Sequence, residues 1–349
     1  IFRLSERKTD VRTEMLGGAT TFMTMAYIIF VNPDILSKAG VPFNGAMAAT
    51  CLAAGAVTLL MGLWTNYPFA LASGMGLNAA LAFGLVLGMG MKWQAAMGVI
   101  FLEGVVVLIL VLLGVREAVM AAIPIDLRRA IGVGIGIFIA FIGMKEVGLI
   151  APSSATYVTY GVALSPHILT ALFGLVLILV LLRKGTPGAI LIGIVAATLF
   201  HIILMHVLSA ALHDPKISAG LLPKKVFSLP SFETIGQVDI RGAMALGLTS
   251  ATVIFSFLMV DFFDTLGTVT ALGDQAGYTG GGKKLLPGLN RVLAVDSIGA
   301  IAGGFFGASS VTTYIESASG IGSGGRTGLT SVVTALLFIA CAFIAPLAG

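Results

Sequence analysis

The chain is a near-continuous succession of apolar runs, most of them close to the roughly 20 residues a helix needs to cross a bilayer. That single feature removes most of the folds open to 349 residues. Hydropathy places the runs near 15–36, 46–64, 68–90, 95–114, 130–150, 163–182, 187–212, 243–272, 288–306, 308–324 and 328–348, about eleven in all. Charged residues make up 10% of the chain, against roughly 25% in soluble domains, and the mean hydropathy is +1.03. The expected class is an all-α polytopic membrane protein whose first partner is the lipid bilayer.

Placing the N-terminus in the cytoplasm gathers Arg3, Arg7, Lys8, Arg12, Arg116, Arg128, Arg129, Arg183, Lys184, Lys283, Lys284, Arg291 and Arg326 on one side, thirteen of the 20 basic residues. This is the asymmetry expected of cytoplasmic loops. The exceptions, Lys216, Lys224, Lys225 and Arg241, lie mainly in the long loop before the eighth run, where the rule is weaker. Scattered in this way, the net charge of +4 describes loops and not a nucleic-acid surface. The N-terminal segment is polar and basic and leads straight into a full-length run, so no cleavable signal is expected. Cys51 and Cys341 fall inside apolar runs and read as small hydrophobes. His167, His201, His206 and His213 lack ligand spacing, and no metal site is expected.

Two runs are irregular. The third contains "FALASGMGLNAALAF" and the tenth lies within "SSVTTYIESASGIGSGGRTGLT", Ser309 to Thr330. Each has a few extended-type residues, a glycine-bearing break and a renewed helix. They stand about seven runs apart, so under the N-in assignment they point opposite ways across the membrane. Paired interrupted segments in corresponding positions of two halves point to a transporter binding site. If the first run matches the eighth, fourteen are expected, and the last three of the second repeat are expected to be absent from this chain.

An ionisable group within a span costs on the order of 2.5–3.5 kcal/mol on insertion scales, which makes each a functional candidate. These are Glu103, Asp261, Asp264, Asp296 and Glu316; Lys145 and Glu146 lie near a span end and snorkel. Glu316 follows a β-prone stretch and precedes a helix, so its carboxylate is expected at a half-helix N-terminus beside freed N–H groups. The bland alternative is a glutamate paired with a neighbouring helix for packing. Tyr314, two residues earlier on the same side of an extended stretch, could offer a flat face for stacking. Asp261 and Asp264 are three apart and could share a helix face, where both would not ionise comfortably. Asp264 is preferred because Thr265 and Gly267 follow it with a hydroxyl and space; Asp261 reads equally well as structural. Asn78, near Gly74 and Gly76, either completes a ligand's hydrogen bonds or caps the restarted helix.

Three motifs carry nothing. Gly320-x-Gly322-x-x-Gly325 lacks a βαβ context, and Gly277 to Lys283 ends on Lys284 where a phosphate loop needs Ser or Thr. The glycines of "GVGIGIF" are helix-packing residues. No nucleophile–base pair is visible, so an enzyme is not expected.

The stretches "TEMLGGATTFMTMAYIIFVNPDIL", "ASGMGLNAALAF", "FSFLMVDFFDTLGT" and "SSVTTYIESASGIGSGGRTGLT" resemble the AzgA-like purine permeases of the nucleobase–cation symporter superfamily, to which uracil permeases also belong. The resemblance covers the whole chain. It implies an inverted seven-plus-seven repeat with short strands in spans 3 and 10. It also implies a core domain (1–129 and 243–349) and a gate domain, of which 130–242 supplies half together with a long external loop. By this resemblance Asp264 and Glu316 are the essential acids, Gly76 and Asn78 the third-span residues, and Tyr314 the aromatic beside the glutamate. Ser317 and Thr265 complete the candidate substrate set. The implied activity is proton-coupled uptake of adenine, hypoxanthine or guanine across the cytoplasmic membrane, with Asp264 and Glu316 handling the proton, no cofactor, and a homodimer common among relatives. An anion transporter or channel of the same architecture is the alternative, and it would want a positive site.

Overall fold

The computed structural model describes residues 2–114, 125–153, 156–161, 165–186, 188–212, 229–245, 247–279 and 286–343. Arg116, His213, Lys216, Lys224, Lys225, Lys283 and Lys284, used above for charge asymmetry and histidine spacing, lie outside the described residues, as do the side chains of Arg128 and Arg129. Among those described, seven helices are long and apolar enough to cross a membrane, and two shorter apolar helices cover Met75–Gly88 and Gly328–Cys341. The chain divides into two compact units, Ile1–Gly132 with Lys225–Gly349, and Val133–Lys224.

In the first unit, α1 (Val11–Met25) opens on Asp10, whose Oδ1 accepts from the Thr13 amide at 3.0 Å, the expected N-cap geometry. A break at Ala26–Tyr27 separates it from α2 (Ile28–Lys38), which contains Pro33. α3 (Phe43–Leu60) runs on as a π-turn over Met61–Thr65 and stops at Asn66, which is left-handed with φ 58°. Strand β1 (Leu71–Ser73) follows, then the short α4 (Met75–Ala79) with a π-helical continuation over Ala80–Gly88, and α5 (Trp93–Leu112).

The second unit holds most of α6 (Ile125–Glu146), an antiparallel hairpin of β2 (Ile150–Ser153) and β3 (Tyr157–Tyr160), and the helices α7 (Pro166–Arg183) and α8 (Ala189–Leu212). α7 begins on Ser165, which accepts from the Ile168 amide, with Pro166 in the first turn, the position proline tolerates best. α7 packs on α8, with Phe173 stacked on Phe200 at 4.5 Å and the Thr170 hydroxyl 3.0 Å from His201 Nδ1. His201 thus makes a helix–helix contact. Most other side chains of this pair face outward.

The chain returns to the first unit with α9 (Ile240–Met244), α10 (Leu248–Gln275), α11 (Leu289–Phe306), β4 (Val311–Thr313), α12 (Ser317–Gly322) and α13 (Gly328–Cys341). α11 lies along α5 so closely that a Cβ on Gly304 would stand 2.8 Å from the Phe101 amide nitrogen, and one on Gly104 would stand 2.7 Å from that of Ile301. Small residues at these crossings let backbones approach where lipid supplies no hydrophobic drive. Cys51 and Cys341 are unpaired.

The centre of this unit is a two-stranded ribbon. β1 and β4 pair antiparallel, Leu71 with Thr313, Ala72 with Thr312 and Ser73 with Val311, and each leads into a short helix. The interrupted third and tenth spans therefore meet at one point and leave it in opposite directions. Irregular backbone inside a membrane must find its hydrogen bonds within the protein, and side chains supply them here. The Thr58 hydroxyl accepts from the Leu71 amide at 2.9 Å and donates to its carbonyl at 3.0 Å. Asp296 Oδ1 accepts from the Thr313 amide at 2.8 Å and from its hydroxyl at 2.7 Å.

Candidate functional site

Glu316 immediately precedes α12 and is half-buried. Its Oε1 accepts from the Tyr27 hydroxyl at 2.6 Å, and its carbonyl accepts from the Thr24 hydroxyl at 3.3 Å. The break between α1 and α2 turns Tyr27 inward, where it is 5% exposed. Asp264 stands exposed on α10, within electrostatic reach of Glu316, and α10 packs against both β4 and α12. Glu316 and Asp264 are therefore brought together at the ribbon, with the open Gly267 one turn along from Asp264.

Other expectations are corrected. The first turn of α12 has no free donors to offer: the amides of Ser317, Ala318 and Ser319 bond back to the carbonyls of Tyr314, Ile315 and Glu316 at 2.9–3.1 Å. Tight turns close this helix start, so the amides cannot orient a ligand. Tyr314 presents no open face for stacking; it is 6% exposed, and its hydroxyl donates to the Ser73 carbonyl at 2.5 Å. It ties the two strands together. The Thr265 hydroxyl is spent on Asp296 Oδ2 at 2.6 Å, and the Ser317 hydroxyl accepts from the Ala70 amide at 3.0 Å. Both residues are buried; Ser317 holds backbone in place, and Thr265 positions the Asp296 carboxylate that does so. Asp261 and Asp264 do not share an environment either, since Asp261 is 1% exposed and lies against Glu103 of α5. A three-residue step on a helix turns by about 60°, enough to separate an outward from an inward face.

Asn78 is fully buried and its Nδ2 donates to Asn32 Oδ1 at 2.5 Å. Asn32 in turn donates to the Thr50 hydroxyl at 2.8 Å and the Ala308 carbonyl at 3.0 Å. Asn78 Oδ1 has no hydrogen-bond partner among the described residues. Gly76 lies half-buried in the same short helix, whose first turn has no capping side chain.

Tyr27, Asn32 and Glu14 escaped the sequence reading. Tyr27 and Asn32 both precede the one proline of the first span, Pro33, within "AYIIFVNP", and two polar residues in the turns leading up to a proline were the available signal. Glu14 is 0% exposed and accepts from the amides of Arg326, Thr327 and Thr330 and from the Thr330 hydroxyl, at 2.6–3.2 Å. It caps α13 from across the fold.

Comparison with known proteins agrees with this architecture. The adenine permease AdeP of Escherichia coli is 42% identical over 349 residues, 100% of this chain and 75% of its own length. The guanine/hypoxanthine permease PbuO of Bacillus subtilis is 39% identical over 351 residues, covering 99% of this chain and 78% of its own. Among solved structures, the transmembrane domain of the cyanobacterial bicarbonate transporter BicA matches 97% of this chain and 85% of that one, with a TM-score of 0.64 at 18% identity. That likeness concerns the fold alone, a helical membrane transporter built as an inverted repeat. A family model described as a permease family matches residues 12–349, and the chain belongs to that family of membrane transporters.

Proposed function

We propose that this permease takes up purine nucleobases and couples their entry to protons. The observation that carries the reading is Glu316, a half-buried carboxylate held by Tyr27 beside the β1–β4 crossing, with the exposed Asp264 within electrostatic reach. A purine edge presents ring N–H and exocyclic amino donors, which a carboxylate accepts strongly. The relatives that carry purine names, an adenine permease and a guanine/hypoxanthine permease, support the substrate class. In this reading Glu316 anchors the base and Asp264 carries the coupling proton. Gly76 gives the base room, and Asn78 serves through its unpartnered Oδ1. Residues 1–129 and 243–349 act as the core that carries the substrate, and 130–242 as part of the gate, with the N-terminus cytoplasmic. Two carboxylates at the site disfavour the anion alternative.

Uptake of labelled adenine, with unlabelled guanine and hypoxanthine as competitors, tests this in cells lacking their own purine permeases. Accumulation that is faster at acidic external pH and abolished by a protonophore is the expected result. Folded protein at the cell surface that takes up no purine at either acidic or neutral pH would overturn it.

A further inference from the structure

A second pair of carboxyl groups lies on the inward side of α10. Glu103, in the middle of α5, is 0% exposed, and neither of its carboxyl oxygens meets a hydrogen-bond donor among the described residues. What lies against it is the carboxyl group of Asp261, which is 1% exposed. The Ser310 hydroxyl reaches Asp261 Oδ1 at 3.5 Å. An isolated pair of buried carboxylates is untenable, because each would lose its hydration and repel the other in a low dielectric. One proton between them resolves both problems, since it removes a charge and supplies the missing donor.

We infer that Glu103 and Asp261 share one proton, forming a protonation site separate from Glu316 and Asp264. The surrounding groups favour a proton. From α11 the charged group within reach is a third acid, Asp296, and its carboxylate is already engaged by Thr313 and Thr265. From α10 it is Asp264. Arg241 on α9 and Arg291 on α11 are exposed. No group of three or more metal-ligating side chains occurs among the described residues. The site also touches the ribbon: Ser310, which reaches Asp261, accepts the Gly74 amide on its own carbonyl at 2.9 Å. Occupancy of the pair therefore bears on the residue that opens α4.

The sign of the effect follows from the shared proton. A pair that binds a proton more tightly folded than unfolded stabilises the fold at acidic pH and loses that contribution as pH rises above the ordinary carboxylate range. The test is the melting temperature of the purified full-length protein, followed from mildly acidic to alkaline pH. Wild type is expected to lose stability as pH rises. Glu103→Gln is expected to abolish most of that loss, because an amide N–H donates to Asp261 at every pH. Asp261→Asn provides the reciprocal variant should the first fail to fold. An infrared spectrum should lose one protonated-carboxyl band in either variant. An unchanged pH slope with the band retained in both variants would overturn the inference. So would sodium, added at constant pH, raising the melting temperature of wild type but not of Glu103→Gln, since that would make the pair a cation site. The readout involves no purine, so its failure is distinguishable from failure of the transport reading.

Discussion

Two glutamates, Glu14 and Glu316, lie at opposite extremes of how a membrane protein treats a carboxylate. Glu14 is completely buried and accepts four hydrogen bonds of 2.6–3.2 Å from the start of α13. Glu316 is half-buried, and one oxygen accepts a single bond from Tyr27. Burial alone therefore misleads, because Glu14 and Glu103 are equally buried, yet the fold fills the acceptors of Glu14 and leaves those of Glu103 unmet among the described residues. Spare acceptor capacity separates a structural carboxylate from one poised for a ligand. Asp296 falls with Glu14, with three donors on its two oxygens, whereas Asp264 falls with Glu316.

The largest effect should come from the satisfied side of this comparison. Glu14→Ala takes the acceptor from the Arg326 and Thr327 amides and leaves the Thr330 amide only its 3.2 Å bond to the Thr327 carbonyl, each unsatisfied donor costing about 1–3 kcal/mol. It should lower the melting temperature more than Glu316→Gln, Asp264→Asn or Thr265→Val, and expression at the membrane should fall with it. A variant that melted like wild type would break the comparison at its root. Next comes Glu316→Gln, which keeps the shape and the Tyr27 contact but removes the charge. Loss of one charge-assisted bond to substrate is worth about 1.5–3 kcal/mol, roughly ten- to a hundredfold in affinity, with little change in melting temperature. Equilibrium binding of labelled adenine reads the first quantity and thermal denaturation the second. Asp264→Asn should retain binding while uptake loses its acceleration at acidic pH; pH-driven accumulation at the wild-type level would remove Asp264 from proton coupling.

Much of this architecture is legible in the sequence. Apolar run lengths place the spans because a bilayer has a fixed thickness, and glycine-bearing breaks mark the third and tenth because a continuous helix would not need them. Glu316 follows from the cost of a charge at that depth. The donors that decide each acid's role are not legible, since they come from far along the chain. Tyr27 lies 289 positions from Glu316, and Thr330 lies 316 from Glu14. The ring of Tyr314 and the hydroxyls of Thr265 and Ser317 resemble ligand contacts because they neighbour the acids in sequence. The Tyr314 hydroxyl donates to β1, the Ser317 oxygen accepts from the residue before β1, and the Thr265 hydroxyl reaches the ribbon through Asp296, because extended backbone inside a membrane has outer edges that water cannot reach. A short strand in a span therefore predicts nearby hydroxyls whose first duty is to the main chain.

The smallest effect tests that last point directly. Thr265→Val is close in shape and removes only the hydroxyl that donates to Asp296 Oδ2 at 2.6 Å. If Thr265 serves the ribbon, the loss of one buried hydrogen bond to a charged acceptor should cost about 1.5–3 kcal/mol of stability, partly offset because Asp296 keeps its two bonds to Thr313. Purine affinity should stay within about twofold, since twofold is only about 0.4 kcal/mol. If Thr265 instead contacts substrate, the pattern inverts, with affinity falling tenfold or more and the melting temperature barely moving. Measuring both quantities on this one variant separates the two roles, because a hydroxyl already donated to Asp296 has no second proton to give a ligand.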